Sequence, residues 1–125
     1  MFLLNPQSKL PLYEQLVEQL RRQIVLGNAA SGSPLPSVRQ LSVELGVNPN
    51  TIQKAYREME QEGLIVSLPG RGSFVTNDVA RMQERQRAAE LANLEKALRL
   101  CREIGISYTS VQALTNKVYK EESSC

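Results

Sequence analysis

A chain of 125 residues with 42% apolar and 22% charged side chains has material for one compact domain and an appendage, not for two full cores. It has no histidine and two cysteines, which excludes a histidine-based triad or zinc site and leaves no disulfide framework or good metal site. Lysine plus arginine outnumbers aspartate plus glutamate by only 15 to 13, so any nucleic acid must be held by the placement of charge and not by its bulk. No apolar run is long enough to span a membrane. The opening Met1-Phe2-Leu3-Leu4-Asn5-Pro6 lacks the basic start and long apolar core of a signal peptide, so the expected location is the cytoplasm.

The chain begins with an extended, partly apolar segment carrying Lys9. Pro11 opens a helix predicted to run to about Leu26, with Leu12, Leu16, Leu20 and Ile24 along one stripe, broadened by Tyr13 and Val17. Gly27 and Asn28 end it. Arg21 and Arg22 read as solvated surface charges, with a DNA backbone contact by one of them as the alternative. Between Gly27 and Pro36 the alanine, serine, glycine and proline content predicts a loop without regular structure. Ser37 then caps a second helix, and Gln40 three residues on completes a capping box. Val38, Leu41 and Leu45 recur at helical spacing, and Gly46 can take the left-handed conformation that ends the helix. Asn48 caps a third helix with Pro49 at its first position, where a missing N–H costs nothing, and Gly63 closes it.

The third helix carries the main functional inference. At about 100° per residue, Ile52, Ala55, Tyr56 and Met59 fall on one side, and Asn50, Gln53, Lys54 and Arg57 on the other. The first set is a core stripe. The second places two amides, an ammonium and a guanidinium on one exposed strip near a helix N-terminus. Amides can read adenine edges, arginine or lysine can read guanine, and a helix N-terminus favours phosphate. Two helices about a glycine turn, the second carrying such a strip, form the helix-turn-helix that lays a recognition helix in the major groove. An ordinary solvated polar face is the alternative for any single helix. The capped turn before it and the hairpin after it favour the DNA reading.

That hairpin is predicted from two β-prone runs, Leu64 to Ser67 and Ser73 to Thr76, around the turn Leu68-Pro69-Gly70-Arg71-Gly72. Arg71 projects from its tip toward a phosphate or the minor groove. No lysine followed by serine or threonine stands at P-loop spacing and no helix opens directly behind the loop, so a wing is favoured over a nucleotide cradle. From Met1 to Thr76 there are seven basic and six acidic side chains, with Glu58, Glu60 and Glu62 in the second half of the third helix.

Beyond Thr76 the pattern changes. Asn77 or Asp78 can cap a long helix to about Ile104, ended by Gly105. Leu91, Leu94, Leu98 and Cys101 repeat with spacings of three, four and three, a heptad seam, with Ala88 and Ala97 allowing close approach. Ser107 caps a last helix to about Lys120, with Val111, Leu114 and Val118 on one face and Tyr108 beside them. A helix of about a dozen residues is marginal alone, so a helical hairpin is expected. Two such hairpins from two chains would bury both seams in a four-helix bundle; the alternative is a seam folded within the chain. Cys101 in the seam is a small core residue or, beside Arg99 and Arg102, a redox-sensitive thiol. The tail from Glu121 to Cys125 is polar and expected to be disordered.

The runs Pro11-Leu-Tyr-Glu-Gln-Leu16, Leu35-Pro-Ser-Val-Arg-Gln-Leu41, Asn48-Pro-Asn-Thr-Ile-Gln-Lys-Ala-Tyr-Arg57 and Pro69-Gly-Arg-Gly-Ser-Phe-Val75 together resemble the DNA-binding domain of the GntR family of bacterial transcription regulators. The short remainder is similar to the YtrA type of that family, which has two helices in place of a large effector domain. The resemblance implies a winged helix-turn-helix, mainly α with a small β-hairpin, over residues 1–76 and a dimerising helical hairpin with its tail over 77–125. It implies a homodimeric, non-enzymatic regulator, by family habit a repressor, on palindromic double-stranded DNA, with no cofactor; any small-molecule effector is unidentified, and the C-terminal hairpin is too small to enclose a large pocket for one. Its DNA contacts fall on Ser37 and Arg39, on Asn48, Asn50, Thr51 and Gln53, and in the wing on Gly70 and Arg71; Lys54 and Arg57, outside that family set, are expected to supply backbone contacts instead. Dimerisation falls on Leu91, Leu94, Leu98, Cys101, Val111, Leu114 and Val118. Many relatives with large effector domains have arginine where this chain has Pro49 and Gln53, a departure that shifts the expected base preference toward adenine. A winged domain used only for protein contacts is the alternative function, and salt-dependent binding to a palindromic duplex discriminates the two.

Overall fold

The computed structural model describes residues 2–121; the terminal Cys125 and the tail leading to it lie outside the described residues. Five helices and one hairpin follow each other along the chain: α1 Leu12–Val25, α2 Val38–Leu45, α3 Pro49–Gln61, β1 Ile65–Leu68, β2 Gly72–Val75, α4 Val79–Glu103 and α5 Tyr108–Lys120. One compact unit runs to Gln86 and a second starts at Arg87, so α4 belongs to both.

In the first unit, α1 supplies Leu16, Leu20 and Ile24 to the core, all with no exposed surface, and α3 supplies Ile52, Ala55, Tyr56 and Met59. These are the predicted stripes. Leu41 from α2, Leu64 and Ile65 at the start of the hairpin, Val75 from β2, and Phe2, Ala29 and Leu35 from connecting segments complete one continuous cluster. Each fully buried large side chain contributes about 1.5–3 kcal/mol. The compact unit continues past Thr76, because Val79 and Met82 in the first turns of α4 pack on this cluster. Gln83 is tied in as well, its Nε2 donating to the Ile24 carbonyl at the end of α1 over 3.1 Å.

The N-terminal segment is held by two glutamines of α1. Buried Gln15 accepts from the Asn5 N–H (2.8 Å) and donates to the carbonyls of Asn5 (3.1 Å) and Leu10 (2.9 Å). Gln19 exchanges a pair of hydrogen bonds with the Leu3 backbone. A buried amide with its hydrogen bonds satisfied costs little, and here it docks an extended chain that has no sheet of its own to join.

Two expectations for α1 and the loop after it need correction. The loop between Gly27 and Pro36 is not without regular structure: Pro34 bridges Phe74 in antiparallel fashion, the Leu35 N–H donates to Ser73 (2.9 Å), and the Val75 N–H donates to Ser33 (2.8 Å). The outer edge of β2 has unmet backbone groups, and a passing segment satisfies them whatever its composition. Arg21 is not simply solvated, since it pairs with Glu18 (2.8 Å) and with Glu62 at the end of α3 (2.6 Å). Burial alone would lower the Arg21 pKa, but the hydrogen bond and charge of Glu62, with Glu18 behind it, raise it.

The second unit has a different character. Among the described residues neither α4 nor α5 contains a buried side chain. Leu91, Leu94 and Leu98 are 67, 54 and 40% exposed, Leu114 and Val118 are exposed, and Cys101, an unpaired thiol, and Val111 are half-buried. Gly105 turns the chain between the helices at φ +84°, and Ser107 caps α5 by accepting from the Ser110 N–H (3.1 Å). The two helices leave an open groove of about 540 Å³ between them, lined by Leu94, Leu98 and Cys101 from one side and Tyr108, Val111 and Thr115 from the other.

Candidate nucleic-acid interface

The candidate interface begins with two local helix-start signals. Ser37 Oγ accepts from the Gln40 N–H (3.0 Å), and Gln40 Oε1 accepts from the Ser37 N–H (2.9 Å), the reciprocal pair of a capping box. The box fixes the first turn of α2 and with it Arg39, which is exposed. α2 ends where Gly46 takes φ +66°, a left-handed value that a side chain would strain. The Val47 N–H and carbonyl both fold back onto Ser42, through its carbonyl and its buried hydroxyl. The turn is therefore closed by its own residues. Asn48 Oδ1 then accepts from the Asn50 N–H (2.8 Å), and Pro49 opens α3.

On α3, Asn50, Gln53, Lys54 and Arg57 are all exposed, Thr51 is half-buried, and the face opposite is the core stripe. The first turn contains no acidic residue, so the positive end of the helix dipole is unopposed there by a side chain of α3. Asn48 and Ser37 have their acceptor oxygens committed to caps, which leaves the Asn48 Nδ2 protons and the Ser37 hydroxyl proton as donors toward an outside acceptor. Arg39, Arg57 and Arg71 enter no ion pair among the described residues. The acidic second half of α3 is partly neutralised, since Glu62 pairs with Arg21.

Two tyrosines belong to this region in ways their sequence positions did not announce. The Tyr56 hydroxyl, buried among the core residues, donates to the Pro36 carbonyl (2.6 Å), one residue before the α2 cap, so that α3 holds the start of α2 directly. Burial, with the Glu44 carboxylate adding to it, pushes the Tyr56 hydroxyl up to about 12. Tyr13 on α1 lies under Lys54, whose Nζ is 4.0 Å from the ring centroid. No periodicity links positions so far apart; only the packing of α1 on α3 makes the pair.

The hairpin follows α3 at once, through Leu64, whose N–H donates to the Met59 carbonyl (2.8 Å). Its strands pair Ile65 with Val75 through Leu68 with Gly72, so the turn is only Pro69, Gly70 and Arg71, one residue shorter at each end than the predicted Leu68 to Gly72. The Arg71 N–H donates to the Leu68 carbonyl (2.9 Å) and Gly70 has φ +75°, the combination that proline followed by glycine provides. Gly70 and Arg71 are exposed at the tip.

Comparison with known proteins bears on the same residues. The family profile described as bacterial regulatory proteins, gntR family, matches residues 12–75, just over half the chain. The chain belongs to the GntR family. It is 41% identical over 78 residues to the HTH-type transcriptional repressor YtrA of Bacillus subtilis (strain 168), a match covering 62% of this chain and 60% of that repressor. A crystal structure of a transcriptional regulator from Oenococcus oeni superposes with a TM-score of 0.77 at 28% identity, covering 93% of this chain and 97% of that one. AraR(DBD), solved in complex with operator ORE1, matches 61% of this chain and 93% of its own at 30% identity, with a TM-score of 0.51. The GntR family and these relatives are regulators and not enzymes, and the first unit has the winged-helix fold by which the family binds DNA. Among the described residues no helix is long and apolar enough to cross a membrane.

Proposed function

We propose that this GntR-family chain is a cytoplasmic, homodimeric repressor that lays α3 in the major groove of a palindromic operator. Residues 1–76 do the reading, with Arg71 at the backbone or minor groove, and residues 77–125 join two copies. The observation that carries the reading is the division of α3: one face wholly buried, the other an exposed strip of Asn50, Gln53, Lys54 and Arg57 behind an acid-free first turn. Asn50 and Gln53 are the base readers, suited to adenine; Ser37, Asn48, Thr51, Lys54, Arg57 and the Gly70 backbone position the duplex through its phosphates. Arg39 extends the readout from α2.

Dimerisation is supported by the second unit, whose apolar residues Leu91, Leu94, Leu98, Leu114 and Val118 stay exposed and flank half-buried Cys101 and Val111. Two such units would cover each other in a four-helix arrangement. A two-fold axis then sets the recognition helices about 34–36 Å apart. A small-molecule effector would act by altering that spacing.

Selection of bound duplexes from a random pool tests the reading. The expected product is an inverted repeat with half-sites about one helical turn apart. Arg39→Ala should weaken binding to it by about 1–3 kcal/mol. Failure to enrich any duplex, with no salt-dependent binding, would leave protein contact as the role of the strip.

A further inference from the structure

Lys54 stands at one edge of the α3 strip, about 40° around the helix from Asn50, while Gln53 lies about 60° the other way. It is the member of the strip that faces α1. Two carboxylates are within its reach in principle: Glu58, one turn further along α3, and Glu14, next to Tyr13 on α1. Lys54 pairs with neither. Its ammonium instead sits over the Tyr13 ring. The ring is itself fixed, because the Tyr13 hydroxyl donates to Glu14 Oε1 (2.9 Å). Donation to a carboxylate pushes electron density into the phenol and strengthens the negative face that attracts the cation. One side of the ammonium is thereby occupied, while Lys54 as a whole stays exposed to solvent.

We propose that Tyr13 is a positioning residue for DNA binding: it keeps the Lys54 ammonium off Glu58 and presents it to a backbone phosphate on the α1 side of the recognition helix. The proposal rests on the DNA-binding reading above. A lysine side chain is flexible and loses about 2 kcal/mol of rotamer freedom when it is immobilised; a ring that already restricts it reduces what is lost on meeting the phosphate. Without the ring, a competitor for the ammonium is Glu58, at i,i+4 spacing on the same helix.

The test is a double-mutant cycle, using as probe a duplex recovered by the random-pool selection and titrated at several salt concentrations. Lys54→Gln should flatten the slope of log affinity against log salt by about 0.9 for each half-site. Tyr13→Leu should weaken binding about two- to fivefold per half-site, the size of one exposed cation–π contact. Tyr13→Phe, which keeps the ring, should stay within about twofold of wild type on the same scale. In the Lys54→Gln background, Tyr13→Leu should have no further effect. An equal loss in that background, a gain of affinity for Tyr13→Leu alone, or an unchanged salt slope for Lys54→Gln overturns the proposal. Lys54 is exposed, so even if Tyr13→Leu does not fold, an unchanged slope for Lys54→Gln still overturns the proposal. If the wild-type protein enriches no duplex, the DNA-binding reading falls and this proposal with it; if it binds and the cycle is additive, only this proposal falls.

Discussion

In α1, Leu16, Leu20 and Ile24 repeat at helical spacing and lose all contact with solvent; in α4, Leu91, Leu94 and Leu98 repeat almost as regularly and stay 67, 54 and 40% exposed. The contrast does not come from apolar content along the stripe. It comes from what stands opposite. α1 meets α3, whose stripe of Ile52, Ala55 and Met59 has the same 3.6-residue period, and the hairpin closes the far side. α4 past Arg87 has only α5 in its own unit, and the two share an open groove. Apolar periodicity therefore says that a face will be covered, while the supply of partner faces within the chain decides whether that chain can cover it. The heptad spacing of the α4 stripe, narrower than the α1 stripe, is the pattern of a helix-to-helix seam.

The largest effect is expected where that comparison is most easily broken. Leu98→Glu places a carboxylate in each copy of the proposed seam and should cost about 3–5 kcal/mol of association energy, as an uncompensated buried charge does. Sedimentation equilibrium should then find monomers at concentrations where the wild type is dimeric, with the helix content of the first unit retained. An unchanged dimer would mean that the exposed stripe in α4 has another purpose. Leu20→Ala is the counterpart in the first unit. It should lower unfolding stability by about 2–5 kcal/mol, by lost transfer energy and the cavity left behind. Because Leu20 is covered within its own chain, the change should be independent of protein concentration in denaturant titrations.

Tyr56→Phe comes next. It leaves the Pro36 carbonyl without its donor and should cost about 1–3 kcal/mol. It also gives a pH signature. The folded-state pKa of Tyr56 is raised to about 12, above the roughly 10 of an unfolded tyrosine. The contribution to stability is whole below pH of about 10 and is lost as pH rises from there through about 12, because the unfolded chain releases its proton first. Tyr13, whose pKa is raised by its hydrogen bond to Glu14 and then by burial, adds to the same alkaline fall. The fall should be shallower in Tyr56→Phe than in wild type, and equal slopes would remove Tyr56 from the account.

Much of the first unit was legible in the sequence because its signals are local. Ser37 with Gln40, Gly46, and Asn48 with Pro49 each act within a few residues, and each does in the structure what its chemistry allows. The exposed strip of α3 follows from the same arithmetic as its core stripe. What escaped is long-range. The Ser33 to Leu35 segment pairs with β2 through backbone groups, which composition does not encode. Gln15 and Gln19 anchor the N-terminal segment through its backbone, a role that no local pattern in α1 signals. Lys54 was legible as an exposed cation, but its neighbour Tyr13 was legible only as part of an apolar stripe. The second unit was the reverse case: the helices and the Gly105 turn were readable, and the open groove between them was not.

The smallest effect separates two roles that coincide at Ser37. Its hydroxyl oxygen caps α2, and its hydroxyl proton is available to a phosphate. Ser37→Ala removes both and should cost about 1 kcal/mol of stability, read in the same concentration-independent way as Leu20→Ala because the cap is internal to the first unit. Ser37→Asp keeps a capping oxygen, and its charge suits the helix N-terminus. Stability should therefore stay within about 0.5 kcal/mol of wild type. A carboxylate beside a DNA phosphate is repulsive, so duplex binding should weaken by an amount that shrinks as salt rises. Loss of stability with binding intact would make Ser37 a cap alone; intact stability with weakened, salt-sensitive binding would put the start of α2 against the DNA backbone, with Arg39 two residues behind it.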